Sequence, residues 1–398
     1  MRNFVLFIII YCLCSVAIAG GLNPIAGIGT RHGGSSGALA DDAATFCYNP
    51  AGLIDFQDTY LDAAASILLP RFTLENGLGK TKSRPGVYYL LPTAGYVQPL
   101  GERWRIGFGL TVPYGLGAQF DRDLAKGIFE SETLITLTNF TPALAVRLCD
   151  SVSIGAGLNI GWSQFKYLAP FDLELGDRRL FLPLLTDSDG TGWGIGGIFG
   201  VQLEPTKKLK LQLSYLTPSQ VWYSGNTEMT GPLKTVLRLQ DGWNSELTFP
   251  DRAGGTIAYQ ATDKLLLAFS GWWYGYSRNM KKMSLRFHDL PLVKTTTLDW
   301  QDNYSLHWGL QYKPRKDWQA RLGVGYQTAA ITKTASQLTP DVTGWDIASG
   351  ISFSHDFKKH GELTLNFDVI YGWGKQKTSD VTFKAETWTF GLGGSYRF

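Results

Sequence analysis

Cysteine, methionine and histidine are scarce in this 398-residue chain, at four, four and five copies. Cys12 and Cys14 fall within the opening apolar run, so only Cys47 and Cys149 remain beyond it. Two thiols exclude a disulfide framework and leave a single Cys47–Cys149 bridge as the one pairing open in an oxidising compartment. The histidines at 32, 288, 307, 355 and 360 stand singly, without metal-ligand spacing, so neither a metal nor a cofactor is expected. A charge of one sign is also missing. The 37 Lys and Arg against 34 Asp and Glu leave +3, in no block, which gives no signal for nucleic acid or an acidic substrate. No segment after residue 19 is apolar for the roughly 20 residues a transmembrane helix needs. No linker or change of texture follows residue 57, so one large domain with an N-terminal appendage is the economical reading.

The start, MRNFVLFIIIYCLCSVAIAG, has a positive residue, an apolar run from Phe4 to Leu13 and the small-residue site Ala17-Ile18-Ala19. That is the pattern of an export signal, expected to be cleaved after residue 19.

Abundant aromatics and glycine mark the rest: 13 Trp, 18 Tyr, 22 Phe and 46 Gly. In TWTFGLGGSYRF, the residues Trp388, Phe390, Leu392, Tyr396 and Phe398 share one face, while Thr387, Thr389, Gly391, Gly393, Ser395 and Arg397 share the other. Alternation with period two is a strand with one apolar and one polar face. The pattern recurs at Leu363–Trp373, Trp193–Leu203 and Trp318–Tyr326. Fourteen such segments can be drawn, near 57–72, 86–99, 102–120, 132–149, 150–168, 191–205, 207–224, 244–262, 263–280, 296–313, 316–331, 342–357, 361–376 and 381–398. Most exceed the usual five or six residues of a globular strand. Tight turns alternate with longer connections, the longest near 169–190, 225–243 and 281–295. An even strand number, short turns at one end and long loops at the other describe an all-β, fourteen-stranded antiparallel transmembrane β-barrel over residues 57–398. Closure pairs every backbone group, so such a barrel crosses lipid without a helix. Trp104, Trp193, Trp300, Trp345 and Trp373 are placed to form interfacial girdles. The barrel points to the outer membrane of a Gram-negative bacterium, with both termini periplasmic.

Residues 20–56 then need a place. A fourteen-stranded barrel leaves a channel unless something fills it. The stretch SSGALADDAATFCYNPAGL (35–53) is too polar for a core helix and too rich in Ala and Gly for a strand, which suits a compact N-terminal hatch in the lumen. Asp41 and Asp42 can cap a short helix or pair with lumen Arg and Lys, and Asn49-Pro50 sets a turn. In the third strand, Pro113 removes a ladder donor, and glycines at 107, 109, 115 and 117 weaken or bend it.

Gly37-Ala38-Leu39-Ala40-Asp41-Asp42-Ala43 followed by Asn49-Pro50-Ala51-Gly52-Leu53 resembles the N-terminal hatch signature of FadL-type outer-membrane transporters of long-chain fatty acids and other hydrophobic compounds. Phe108-Gly109-Leu110 through Val112-Pro113-Tyr114-Gly115-Leu116 resembles that family's kinked third strand, and Phe249-Pro250-Asp251-Arg252 a later block. The resemblance covers nearly the whole chain after residue 19. It implies a fourteen-stranded barrel with a hatch formed in part by Asn49, Pro50, Ala51 and Gly52, and a lateral gate at Pro113, Tyr114 and Gly115. A hydrophobic ligand would enter from outside and leave sideways into outer-membrane lipid. The ITKTASQLTPDVT stretch (331–343) departs from the family pattern, which leaves the ligand open. In the 169–190 segment, Phe181, Leu182, Leu184 and Leu185 beside Arg178 and Arg179 form a candidate outer entry for an acyl chain and its carboxylate.

Other chemistries fit less well. Gly33-Gly34-Ser35-Ser36-Gly37 matches the G-x-S-x-G elbow, but no core strand precedes it and no acid–histidine set accompanies it. His288-Asp289 and Asp187/Asp189 are explained by loop solvation, so no enzyme is expected. Small or apolar residues at the inward positions Ile135, Leu137, Ala143 and Ala145 favour a greasy conduit over a general aqueous porin. The cargo is expected to be a long-chain fatty acid, with aromatic hydrocarbons or alkanes as the alternative. A monomer is expected, assembled through recognition of the terminal Phe398 by the barrel-assembly machinery.

Overall fold

The computed structural model describes residues 42, 45–121, 130–175, 178–230, 238–289, 291, 293–331, 338–378 and 381–398. Strand β1 (Tyr60–Asn76) and a short β2 (Gly79–Lys82) lead to β3 (Tyr89–Leu100), β4 (Trp104–Phe120), β5 (Ser131–Cys149), β6 (Val152–Leu175) and β7 (Arg178–Thr206). The next stave is broken into β8 (Leu209–Leu216) and β9 (Ser219–Thr230), and the one after into β10 (Arg238–Phe249) and β11 (Arg252–Thr262). After β12 (Leu265–Tyr274) comes a hairpin of β13 (Lys282–Phe287) and β14 (Val293–Thr297). The wall then continues through β15 (Asn303–Arg315), β16 (Trp318–Gln327), β17 (Thr343–Asp356), β18 (Glu362–Lys377) and β19 (Val381–Arg397). β19 pairs antiparallel with β1 from Tyr60–Arg397 to Asn76–Val381, and this ladder closes a fourteen-stave barrel. Closure removes the two outer edges that an open sheet would expose, and leaves β3 and β4 only partly paired with each other.

The interruptions have a chemical cause. Pro218 and Pro250 lack the N–H a ladder needs, and each stands where its stave breaks. Below the breaks β8 pairs with β11, and above them β9 pairs with β10.

Alternation sorts the two faces. Leu365, Phe367, Trp388, Phe390 and Leu392 are exposed on the outside, while Asn366, Asp368, Thr387 and Thr389 are buried within. An apolar exterior around a filled interior inverts a soluble barrel and matches an outer-membrane one. Neighbouring rings brace the outside, as in Tyr371–Trp388 with centroids 4.6 Å apart. Trp104, Trp193, Trp345 and Trp373 lie outward as expected. Trp300 does not: it is 2 % exposed, because residues 298–302 leave the ladder and fold onto the interior cluster with Tyr276 and Met280.

All fourteen expected strands are present, with shifted ends. The 169–190 segment is less loop than expected. β6 and β7 run for 24 and 29 residues, far beyond the roughly 10 that cross a bilayer, and stay paired out to Leu175–Arg178. A two-stranded arm keeps its backbone donors satisfied where a loop would rely on water. The 281–295 segment likewise holds the β13–β14 hairpin.

Candidate functional site

The first described residues form a knot inside the barrel. Thr45–Tyr48 make one helical turn and Pro50–Asp55 a 3₁₀ turn, joined at Asn49. Asn49 is extended (φ −157°), and Pro50 follows at the first helical position, where its missing N–H costs nothing. The Asn49 side-chain oxygen accepts from Ala51 N at 2.9 Å, while its Nδ2 donates to the carbonyls of Val201 (3.1 Å) and Leu213 (3.3 Å) on the wall. An amide is the side chain that can accept from the turn and donate to the wall at once.

Glycines in the wall make room for this knot. A side chain at Gly107 or Gly109 would run into the Phe46 ring, one at Gly155 into Pro50 and Ala51, and one at Gly200 into Asn49. The cluster at 107 and 109 therefore serves close approach, beyond the strand weakening expected from the sequence. Further ties fix the segment. Ser214 Oγ donates to the Tyr48 carbonyl, Arg105 Nε to Phe56 O at 2.6 Å, and Arg252 Nη2 to the Cys47 carbonyl. Asp55 meets Lys210 in an ion pair and Gln202 at 2.9 Å. Burial pushes the Asp55 carboxyl above its usual range, and the Lys210 ammonium opposes that rise.

Beside this knot the wall is slit. β3 and β4 pair only from Leu100–Trp104 to Ala94–Leu110. Beyond that rung Tyr89–Thr93 keep β1 as partner and Tyr114–Phe120 keep β5, but the two strands no longer pair with each other. The β4–β5 register shifts between Thr111 and Tyr114, placing a bulge at Val112-Pro113. Pro92 and Pro113 each remove one donor from the strands that border the slit. Every residue from Thr111 to Ala118 is buried, so the bent half of β4 is covered on both faces. Leu68, Tyr89, Leu91 and Val112 pack together there, with Val87 and Leu134 against them. At the far end Arg84 N donates to Gln119 O at 2.7 Å, and its guanidinium pairs with Asp121 (2.6 Å) and Glu130 (3.1 Å). The slit is thus bounded above and below and filled by the cluster of Leu68, Tyr89, Leu91 and Val112.

Sequence reasoning and structure meet at most of these positions. Asn49, Pro50, Ala51 and Gly52 are buried in the knot, Pro113, Tyr114 and Gly115 lie on the bent half of β4, and Asp42 is 3 % exposed. Asp41 and the Gly33–Gly37 stretch lie outside the described residues. Arg178, Arg179 and Phe181 pair through their backbones with Leu175, Glu174 and Asp172 along the β6–β7 arm. The side chains of 171–184, hence those of Arg178, Arg179, Phe181, Leu182 and Leu184, lie outside the described part of the structure; Leu185 is half-buried. Cys47 is buried, Cys149 is exposed and both are free, so the Cys47–Cys149 bridge does not form.

The interior corrects a further expectation. Ile135, Leu137, Ala143 and Ala145 are buried as anticipated. The opposite wall, however, holds Arg321 and Asp368 at 6 % and 5 % exposure, with Asp346 and His307 half-buried nearby. Arg321 donates to Ser352 Oγ at 2.6 Å. On β5 itself Thr133, Asn139 and Thr141 are buried among the apolar residues, so the lumen mixes apolar and polar groups on both sides, with the charged ones named here on the β15–β18 side. Arg105, Gln202, Lys210, Ser214 and Arg252 grip the knot and were missed, because a strand sequence does not say which inward residue meets the segment it encloses.

The model of the outer membrane protein transport protein family (OMPP1/FadL/TodX) matches residues 11–398. The chain belongs to this family. Its members are transport channels and not enzymes. Outer membrane protein P1 of Haemophilus influenzae is 22 % identical over 403 residues, covering 90 % of this chain and 85 % of that protein. The long-chain fatty acid transport protein of Salmonella typhi is 23 % identical, covering 94 % and 92 %. Among solved structures, a Pseudomonas aeruginosa FadL homologue superposes with a TM-score of 0.80 at 16 % identity, over 97 % of this chain and 100 % of that one. The Ralstonia pickettii toluene transporter TbuX gives 0.71 at 17 % identity, over 95 % and 99 %. At such identities the superpositions establish the shared fold; family membership places the protein among outer-membrane transporters of hydrophobic compounds.

Proposed function

We propose that this protein is a passive outer-membrane channel for long-chain fatty acids. Residues 20–56 act as its hatch and the β3–β4 slit as its lateral exit. Cargo enters at the β6–β7 arm, where Arg178 and Arg179 stand in sequence beside Phe181, Leu182, Leu184 and Leu185, and passes the buried Ile135, Leu137, Ala143 and Ala145. Movement of the knot at residues 45–56 then opens the path to the slit, and the cargo leaves into lipid. The observation that carries this reading is the slit itself: two strands whose ladder stops at Ala94–Leu110, with Leu68, Tyr89, Leu91 and Val112 packed beyond it. Parting side chains there breaks no β3–β4 ladder bond, whereas opening a paired ladder would strand donors in hydrocarbon. The short-turn rim and both termini then face the periplasm. The protein works as a monomer, and the terminal ring of Phe398, which is 62 % exposed, is free to meet the assembly machinery.

Two other readings have support. The toluene transporters share the fold, so a monoaromatic or alkane cargo fits the same slit. The polar wall at Arg321, Asp346 and Asp368 favours an aqueous porin. Uptake of labelled oleate, toluene and a small sugar, in cells lacking their own hydrophobic-compound channel, separates all three. Leu91→Cys with Val112→Cys, in a chain free of Cys47 and Cys149, allows the slit to be stapled by a reductant-cleavable thiol cross-linker. Oleate uptake that stops on stapling and returns on reduction is the expected result. Sugar uptake indifferent to the staple would replace the transporter with a porin.

A further inference from the structure

The outer face of the barrel carries a cationic cleft. β10 and β13 pair on two rungs only, Trp243–Phe287 and Asn244–Arg286, and part toward the short-turn rim. The fork holds a cavity of about 450 Å³ whose lining includes Trp222, Asn244, Glu246, Lys282, Ser284 and Arg286. Lys282 and Arg286 are exposed on the outward face of β13, four residues and so about 13 Å apart. Among the described residues neither forms an ion pair. Arg278, earlier in the same stretch, differs: it pairs with Asp251 at 2.6 Å and lies over the Trp273 ring. Glu246, the one carboxylate in the lining, accepts from Gln220 Nε2 at 3.2 Å. Asp187 and Asp189 stand further up β7, on the rungs of Glu228 and Asn226, beyond the cleft. The cleft also straddles the edge of the apolar band. Trp222 on its border is 50 % exposed and pairs with Trp193 on β7. Toward the short-turn rim the outside continues as Ile195, Phe199 and Leu213, whereas the next outward pair the other way is Thr191–Ser224. Two cations without a counter-ion therefore stand where lipid headgroups meet acyl chains.

We infer that this cleft seats the bisphosphorylated disaccharide headgroup of lipid A, the glycolipid of the outer leaflet. The inference goes beyond transport and rests on the orientation proposed above, with the long-strand rim outward. Arg286 offers a fork of N–H donors to one phosphate, and Lys282 a point charge to the second. A strand tilt of about 40° spreads the two cations along the membrane plane as well as across it. Asn244 and Ser284 are placed to hydrogen-bond the sugar, while the acyl chains run down past Trp222, Ile195 and Phe199. A glycerophospholipid with a single phosphate leaves one of the two cations unmatched. The contact is non-covalent throughout.

The test uses purified full-length protein in detergent micelles, with binding followed by native mass spectrometry. The probes are lipid A, lipid A stripped of its phosphates, phosphatidylglycerol and inorganic phosphate. Lipid A is expected to bind at least tenfold more tightly than either the stripped lipid or phosphatidylglycerol. Lys282→Gln with Arg286→Gln is expected to lose at least tenfold in lipid A affinity. Lys207→Gln with Lys208→Gln, an exposed pair at the opposite rim, should change it less than twofold. All four side chains are exposed, so neither double variant threatens the fold. Unchanged lipid A binding by the Lys282/Arg286 variant, or equal binding of phosphatidylglycerol, would overturn the inference. Displacement of lipid A by inorganic phosphate would make the cleft a free-anion site and overturn it as well. Oleate uptake is measured in parallel. Lipid A binding without uptake removes the channel and keeps the seat, whereas uptake without a preference for lipid A does the reverse.

Discussion

The Tyr114 hydroxyl donates a 2.9 Å hydrogen bond to the Pro250 carbonyl, tying the bent half of β4 to the break between β10 and β11. Both residues are buried, and the Tyr114 ring stacks on Phe249 with centroids 5.7 Å apart. Proline at 250 ends one ladder and leaves its carbonyl to a partner from across the lumen. The distortion of one strand is thus held by the interruption of another.

Tyr114→Phe keeps the ring and deletes the donor. A buried carbonyl left without it costs about 1–3 kcal/mol. We expect a lower denaturation midpoint in micelles and faster oleate uptake, as the slit loses a restraint. An unchanged midpoint with unchanged uptake would mean that the bond restrains nothing.

Phe46 lies against Gly107 and Gly109 with no room for a methyl at either. Gly109→Ala should therefore unseat the knot without opening the β4–β5 ladder, which pairs Gly109 with Thr141 through the backbone. Protease cleavage near residues 45–56 should rise several-fold while heat-resistant mobility of the barrel on gels persists. Adding Phe46→Gly, which removes the Phe46 Cβ as well as the ring from the position a Gly109 methyl would take, restores protection if overlap is the cause. Failure of that second change to restore it would point to backbone damage instead.

Asp341 lies between β16 and β17, is 1 % exposed and accepts from Ala330 (2.6 Å), Ile331 (3.0 Å) and Val342 (2.9 Å). Burial pushes its carboxyl up from 3.8 to about 6, against those three donors, which pull it down. A folded value above the unfolded one means that the closed segment binds the proton more tightly. Its stability is then full below about pH 4, declines as pH rises to about 6 and is level above about pH 7. The total change is at most about 3 kcal/mol. Hydrogen exchange at the Ala330 and Ile331 amides, corrected for intrinsic rates, should show more protection at acid pH. Asp341→Asn should flatten the profile, and protection that grows with pH would contradict it.

The strands were readable because lipid on one side and a filled lumen on the other enforce period two at every stave, as between Leu363 and Trp373. The Asn49-Pro50 turn was readable because few residues can start a turn and bond a wall together. The β6–β7 arm was not: Arg178-Arg179 and the unbroken apolar run around Pro183 show no period two, while the backbone pairing persists to Leu175–Arg178. Trp300 misled because an aromatic just before a strand has the same local pattern whether it ends at an interface or folds inward. Arg252 follows Pro-Asp and reads as a turn charge. Only closure of the barrel, which brings Tyr48 and Cys47 onto it, reveals what it faces. The polar wall with Arg321 and Asp368 was hidden for the same reason, since those partners meet across separate staves.

The ladder that stops at Ala94–Leu110 has a mechanical consequence. A closed tube resists twisting because shear passes around its whole circumference, and a tube cut lengthwise loses most of that stiffness. Here the cut runs along only part of the height, with unbroken rungs below it and the Arg84 contacts above. Torsion applied at the long-strand rim is therefore taken up locally, beside the cut, while the other rim stays round. The barrel is stiff where its chain ends meet and compliant where its side wall must part.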